Sequence, residues 1–85
     1  MESLTIEGHD TIADSIRQAV LSHLVDASVN VEGGGGHYTI AVVSKAFAGK
    51  NMLDSQRLVY RAIAHLMAGD SAPVHAIDSL VTRVP

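Results

Sequence analysis

Residues 32–51 of the chain read EGGGGHYTIAVVSKAFAGKN. A run of glycines leads into a run of β-branched and other apolar residues, which predicts a β-strand over residues 37–44. Glycine loses more backbone entropy on folding than any other residue, so several in succession predict a loop whose conformational freedom has a use. The glycines of this predicted loop are Gly33, Gly34, Gly35 and Gly36.

The residues before this stretch predict a flexible arm, a helix and a short strand. Residues 1–9 show no hydrophobic period and are expected to form the arm. The helix is expected to begin at Asp10 or Thr11, both of which are favoured N-terminal caps. Residues 29–31 predict a short strand, so the glycine loop is expected to join two strands in a hairpin. Apolar residues recur every four positions along the helix and form its predicted buried stripe: Ile12, Ile16, Val20 and Leu24.

The residues after this stretch predict a second helix. Asp54 or Ser55 is expected to cap its N-terminus, and the helix is expected to end near Ala68. Ahead of the cap, Phe47 and Met52 are expected to pack onto the core. The predicted buried face of the helix follows helical spacing: Leu58, Val59, Ala62, Ile63, Leu66 and Met67.

Residues 74–82 predict a final strand, but its alternation is imperfect and does not assign an inward face. The order α-β-β-α-β predicts a single α+β domain over residues 1–85, with the helices packed on one face of a three-stranded mixed sheet. Because a helix precedes it, the final strand is expected to run parallel to one of the hairpin strands through a right-handed crossover.

The composition excludes several classes of protein. The chain has 47% apolar and 18% charged residues, which is ordinary for a soluble domain. No apolar run approaches the ~20 residues of a membrane helix and no signal-peptide pattern is present, so no membrane contact and a cytoplasmic location are expected. The absence of cysteine excludes a disulfide or a thiolate-bound cluster held by this chain alone. A pI near 5.9 argues against a protein that coats nucleic acid, although the half after Ser44 carries five basic and three acidic residues.

The glycine run does not predict a phosphate-binding loop. In dinucleotide-binding and P-loop proteins the glycines lie between a strand and a helix whose N-terminus meets the phosphate. Here a strand follows the glycines, and Gly49-Lys50-Asn51 lacks both the upstream glycine and the following Ser or Thr. The chain also lacks a Gly-x-Ser-x-Gly motif, so no enzyme activity is predicted.

Two histidines are the candidate metal ligands. His37 follows the glycines, and His75 opens the predicted last strand. Imidazole is a common ligand of borderline metals, and two imidazoles leave coordination positions open for another molecule. The alternative interpretation is structural, with His37 an exposed loop residue and His75 a hydrogen-bonded residue at a strand end. His9, His23 and His65 are interpreted as surface histidines.

A row of basic residues is the candidate anion-binding surface. Arg57, Arg61 and His65 are spaced by four residues, so they are expected to lie along one face of the second helix. Lys50 is expected at the entry to that helix. The row suits phosphate groups or an acidic protein surface, and the alternative is a solvated helix face opposite the core.

Four motifs in sequence carry a resemblance to a known family. They are Gly36-His37-Tyr38 leading into Ala41-Val42-Val43-Ser44, then Phe47-Ala48-Gly49-Lys50, then Gln56-Arg57-Leu58-Val59-Tyr60, and last Val74-His75-Ala76. On these motifs, which cover about half of the chain closely, the protein resembles the BolA-like family. The resemblance implies a fold like a type II KH domain, in the same α-β-β-α-β order.

The resemblance also implies a partner and a cofactor. BolA-like proteins pair with monothiol glutaredoxins and share a bridged 2Fe–2S cluster, to which the glutaredoxin side supplies cysteine and glutathione sulfur, in iron–sulfur trafficking or in iron and stress regulation. The family histidine before the final strand matches His75, which is therefore expected to be a ligand. In the cysteine-bearing branch the loop ligand falls near Gly34, and glycine cannot ligate. Either His37 swings in, or the second position is filled otherwise, or cluster binding is weak.

Two other functions stay open at this point. Some BolA-like proteins are described as transcription regulators with a helix-turn-helix-like DNA surface. In this chain Lys50, Arg57 and Arg61 would be the residues that contact DNA. The acidic pI weighs against that function. The other is an adaptor that binds glutaredoxin through protein contacts without a cluster. Alone, the chain is expected to be a monomer or a weak homodimer.

Overall fold

The computed structural model describes residues 11–85. Residues 1–10 lie outside the described residues. They include the predicted flexible arm with His9, and the candidate helix cap Asp10. No helix within the described residues has the length and apolar character to span a lipid bilayer. The elements follow the predicted order with one short 3₁₀ turn added: α1 Thr11–His23, β1 Ser28–Gly34, β2 His37–Val43, the 3₁₀ turn Lys45–Phe47, α2 Met52–Met67 and β3 Ala76–Arg83.

The three strands form one mixed sheet in the order β1-β2-β3. β1 pairs antiparallel with β2, and β3 pairs parallel with β2 along its whole length. The predicted α+β class, the hairpin and the parallel last strand are therefore confirmed. β1 is longer than predicted because its ladder continues through Gly33 and Gly34, the latter opposite His37.

The core lies between the two helices and one face of the sheet. Tyr38, Ile40 and Val42 point toward the helices and are at most 2% exposed, as the alternation of side chains along a strand predicts. The predicted stripe of α1 is confirmed, with Ile16 and Val20 fully buried. The buried apolar residues are Ile16, Ala19, Val20, Leu24, Tyr38, Ile40, Val42, Phe47, Val59, Ala62, Ile63 and Val74.

α2 begins earlier than the sequence predicted. Asn51 is the N-terminal cap, and its Oδ1 accepts a hydrogen bond from the backbone N–H of Asp54 at 2.8 Å. This bond satisfies an amide that has no partner within the helix, so neither Asp54 nor Ser55 is the cap. Met52 is then the first helical residue and is 72% exposed, so the prediction that it packs onto the core is wrong. Phe47 is buried, as predicted.

A β-bulge in β3 explains the imperfect alternation of this strand. Tyr38 and Thr39 are neighbours on β2, but their partners on β3 are Ile77 and Ser79. Asp78 is therefore an extra residue on the bulged strand. The extra residue shifts the alternation by one position, so apolar residues before and after the bulge both pack against the core.

A two-residue turn joins β1 to β2. Gly35 and Gly36 have φ angles of 63° and 90°, the pattern of a type I′ turn, whose twist matches that of the flanking strands. Gly33 and Gly34 belong to β1 rather than to a loop. The predicted four-glycine loop is therefore a tight turn of two glycines, because strand pairing extends up to the turn.

Candidate metal centre

The turn and the start of β3 bring His37 and His75 together. His37 is the first residue of β2, and His75 directly precedes β3. The Gly36 carbonyl accepts hydrogen bonds from the backbone N–H groups of His75, at 2.8 Å, and Ala76, at 3.0 Å. These two bonds hold the start of β3 against the turn. The imidazole rings of His37 and His75 lie edge to face, with centroids 6.4 Å apart and planes at 83°.

Gly36 also packs directly against the His75 ring. A Cβ at position 36 would lie 2.6 Å from Nδ1 and 2.8 Å from Cγ of His75, well inside contact distance. A residue other than glycine would displace the ring. The positive φ of Gly36 is a second reason for glycine at this position. The Nδ1 edge of His75 thus faces the turn. The ring can lie there because Gly36 has no side chain.

Asp78 is a third group at the site, and the sequence reasoning did not identify it. Its Oδ1 lies 3.2 Å from Nδ1 of His37, and both side chains are 57% exposed. A carboxylate at this distance accepts a hydrogen bond from a protonated Nδ1. The available signal was an acidic residue that interrupts the apolar alternation of the last strand, between Ile77 and Leu80.

The histidine pair supplies two nitrogen donors for one metal ion. Two imidazoles on one tetrahedral metal, at Zn–N-like distances of about 2.1 Å, have ring centroids about 5 Å apart. The observed separation of 6.4 Å is longer than that value, so binding of one metal ion would require the rings to move closer together. Two histidines on one iron of a 2Fe–2S centre are known from Rieske proteins. Within residues 11–85 no group of three or more His, Cys, Asp or Glu side chains is arranged to hold a metal ion.

The hairpin register relates His37 to the position where the resemblance places a loop ligand. Gly34 pairs directly with His37 across the turn. Directly opposite residues of antiparallel strands project from the same face, with Cβ atoms about 4.5–5.5 Å apart. A side chain at position 34 would therefore lie beside the His37 ring. His37 occupies the same part of the site that a ligand at Gly34 would reach.

The predicted basic residues form a surface on α2 and at the entry to that helix. Lys50, Arg57 and Arg61 line one shallow concavity, together with Asp54. Asp54 pairs with Arg57 at 3.7 Å, which offsets part of the positive charge. His65 instead lines a groove between α1 and α2, so it does not share this concavity with the other predicted basic residues.

Lys50 lies about the length of β2 away from His37. The strand has seven residues, and at a rise of about 3.3 Å per residue it spans roughly 20 Å from His37 to Val43. Lys50 lies near the far end, where it lines a concavity with Thr82 and Arg83. Arg83 is the partner of Val43 in the sheet. His37 and Lys50 therefore lie near opposite ends of β2, and neither histidine lines the basic concavity.

Two helices packed on a β1-β2-β3 mixed sheet define a small two-layer α+β domain, and comparison with known proteins assigns it to a family. The model of the BolA-like protein family matches residues 4–84, so the chain belongs to the BolA-like family. No curated protein sequence matches the chain significantly.

Solved structures of BolA proteins share this fold. BolA1 from Arabidopsis thaliana is 25% identical, with a TM-score of 0.74 over 91% of this chain and 95% of that chain. The BolA domain of SufE1 from the same organism is also 25% identical, with a TM-score of 0.76 over 91% of this chain and 95% of its own. A BolA homologue from Coxiella burnetii is 34% identical, with a TM-score of 0.71 over 85% of this chain and 88% of its own.

Proposed function

We propose that this BolA-like protein is the partner of a monothiol glutaredoxin and shares a bridged 2Fe–2S cluster with it, in iron–sulfur trafficking or in iron and stress regulation. The observation that carries the proposal is the approach of His37 and His75, whose ring centroids are 6.4 Å apart. Two imidazoles leave positions open on the metal, and the glutaredoxin cysteine and glutathione would fill the sulfur positions of the cluster. The role is non-catalytic, and the proposed compartment is the cytoplasm.

The proposal assigns both nitrogen ligands to this chain. His75 matches the family histidine before the last strand, and its ring is held against Gly36. His37 is the second ligand, and the register supports it because Gly34 lies directly opposite and has no side chain to compete for the same space. Of the three alternatives left open by the sequence, a ligand role for His37 is the one that the geometry favours.

Anaerobic reconstitution tests the proposal. The protein is mixed with a monothiol glutaredoxin, glutathione, iron and sulfide, and visible absorption and circular dichroism are recorded. We expect a spectrum distinct from that of the glutaredoxin homodimer, lost in His75→Ala and weakened in His37→Ala. His65→Ala is the matched control, because it removes an exposed imidazole from the groove between the helices. A spectrum that does not change when the wild-type protein is added rejects cluster sharing.

Nucleic-acid binding is the second candidate function. It is supported by one observation, that Lys50, Arg57 and Arg61 line a single concavity. The net charge of −3 and the Asp54–Arg57 pair weigh against it. Binding to a DNA duplex should strengthen steeply as salt falls, since each phosphate contact releases counterions. Simultaneous replacement of the three cations by glutamine should flatten that salt dependence if this surface is the one used, and an unchanged slope excludes the surface.

A glutaredoxin adaptor that needs no cluster is a separate candidate function. This chain and the glutaredoxin, both without metal, are enough to test it. Sedimentation of the metal-free chain with metal-free glutaredoxin measures association directly. Association that survives both His37→Ala and His75→Ala supports an adaptor, and association that requires iron, sulfide and glutathione supports cluster sharing. Sedimentation of the chain alone also tests the proposal that it is a monomer or a weak homodimer.

A further inference from the structure

We propose that Asp78 is a positioning residue for His37: it holds the proton of the neutral ring on Nδ1 and thereby presents Nε2 as the ligand atom. The inference rests on the proposed function, since it assigns a role to Asp78 at the same site. It is carried by the 3.2 Å separation between Asp78 Oδ1 and His37 Nδ1, and by the bulge that places Asp78 there.

The bulge is the first step of the argument. In a regular ladder the residue after Ile77 would pair with Thr39. Here Thr39 pairs with Ser79, so Asp78 has no register partner on β2. A bulge bends the strand locally and changes the direction in which a side chain points. Here it occurs at the end of the sheet that carries both histidines, and the extra residue is the one whose carboxylate contacts His37.

The chemistry of imidazole is the second step. A neutral imidazole carries one proton, and the hydrogen bond made by one ring nitrogen decides which nitrogen remains free to bind a metal. With the Asp78 carboxylate at Nδ1, the proton resides on Nδ1 and the lone pair is on Nε2. Carboxylate–histidine pairs of this kind fix ring orientation and increase the basicity of the ligand nitrogen at metal sites.

Stability does not account for this contact. Both side chains are 57% exposed, and even as an ion pair so exposed a contact would contribute little to folding, because water and salt screen it. The two histidines are thus oriented by different means. The His75 ring is held against the backbone of Gly36, whereas the His37 ring is held by a carboxylate.

Nuclear magnetic resonance of the full-length, metal-free protein tests the inference. Long-range proton–nitrogen correlation spectra of ¹⁵N-labelled protein report which ring nitrogen of each neutral histidine carries the proton. We expect wild-type His37 to carry its proton on Nδ1, and Asp78→Ala to shift it toward Nε2. Asp78→Asn retains an oxygen acceptor and should retain much of the Nδ1–H form. His65 and His75 should not change, because Asp78 contacts neither of their rings.

Two results would overturn the inference: a wild-type His37 that carries its proton on Nε2, or an Nδ1–H tautomer that Asp78→Ala leaves unchanged. A second arm measures cluster release from the glutaredoxin complex. Loss of a carboxylate partner of a ligating histidine typically weakens metal binding about 10- to 100-fold, and Asp78→Ala should accelerate release accordingly. Unchanged release would show that Asp78 does not support the ligand. Failure of wild-type protein to form any cluster rejects the proposed function, whereas the tautomer result stands independently of it.

Discussion

Replacing Gly36 by alanine should displace the His75 ring, and replacing Gly35 should not. Both glycines have positive φ, so either substitution puts an L-residue into a left-handed conformation at a cost of about 1–2 kcal/mol. Their surroundings differ, because a Cβ at position 35 meets nothing within 4 Å, whereas at position 36 it lies 2.6 Å from Nδ1 of His75. His75 is exposed, so its ring can relieve the overlap by leaving its preferred rotamer, which costs about 0.5–1.5 kcal/mol.

The free energy of unfolding should therefore fall by about 1–2 kcal/mol in Gly35→Ala and by about 1.5–3.5 kcal/mol in Gly36→Ala. Urea unfolding followed by circular dichroism measures both values. In a double-mutant cycle with His75→Ala, the excess cost at Gly36 should disappear and give a coupling of about 1 kcal/mol. Equal losses in the two glycine variants, together with no coupling, would refute the claim that Gly36 positions the ring.

The same variants connect stability to the proposed function. A displaced His75 ring is a poorer ligand, so Gly36→Ala should lower the yield of the shared cluster at a protein concentration where the variant is fully folded. Gly35→Ala is the matched control, since it carries the same kind of backbone strain without the contact to the ring. Equal cluster yields from the two variants would contradict the role assigned to Gly36.

Three further predictions concern the helix cap, the core and the hairpin register. Asn51→Ala removes the 2.8 Å bond to the Asp54 amide and should lower the free energy of unfolding by about 1 kcal/mol, and an unchanged urea midpoint would contradict the assigned cap. Val59→Ala truncates a fully buried side chain and should cost about 2 kcal/mol, whereas Met52→Ala, at 72% exposure, should change stability by less than about 0.5 kcal/mol; similar losses would contradict the observed packing. Gly34→Cys places a thiol directly opposite position 37, the proposed second ligand position, so adding this change to the His37→Ala variant should restore the cluster spectrum, and no recovery would reject the register argument.

Most of the fold could be predicted because its signals are local. The run of β-branched and other apolar residues over 37–44 identifies a strand, and the structure shows that Tyr38, Ile40 and Val42 form its buried face. The start of α2 was less accessible to sequence reasoning, since Asn51 and Asp54 are both good caps and lie within one turn of each other. The choice depends on where the chain emerges from the 3₁₀ turn, which is a property of tertiary structure.

The features that the sequence did not predict are contacts between distant segments. The bulge at Asp78 is defined by how β3 pairs with β2. The sequence of the last strand alone does not predict that register. The contact between Gly36 and the His75 ring likewise joins two segments that only the fold brings together. Sequence reasoning identified both histidines as candidates, and the structure supplies the spacing between them and the carboxylate beside His37.

The positions of the two candidate sites bear on whether cluster sharing and anion binding use the same surface. The histidine pair lies where β2 begins, and Lys50, which lines the basic concavity, lies roughly 20 Å away near the end of that strand. In the proposed complex a glutaredoxin that supplied sulfur ligands would contact the histidine end, so Lys50 at the far end of β2 would not be required for cluster sharing. Lys50 and Arg61 are then free for an anionic group on the same or a second partner. Because Asp54 already offsets Arg57 and the whole chain carries a net charge of −3, that contact suits a small local acidic surface better than a long duplex.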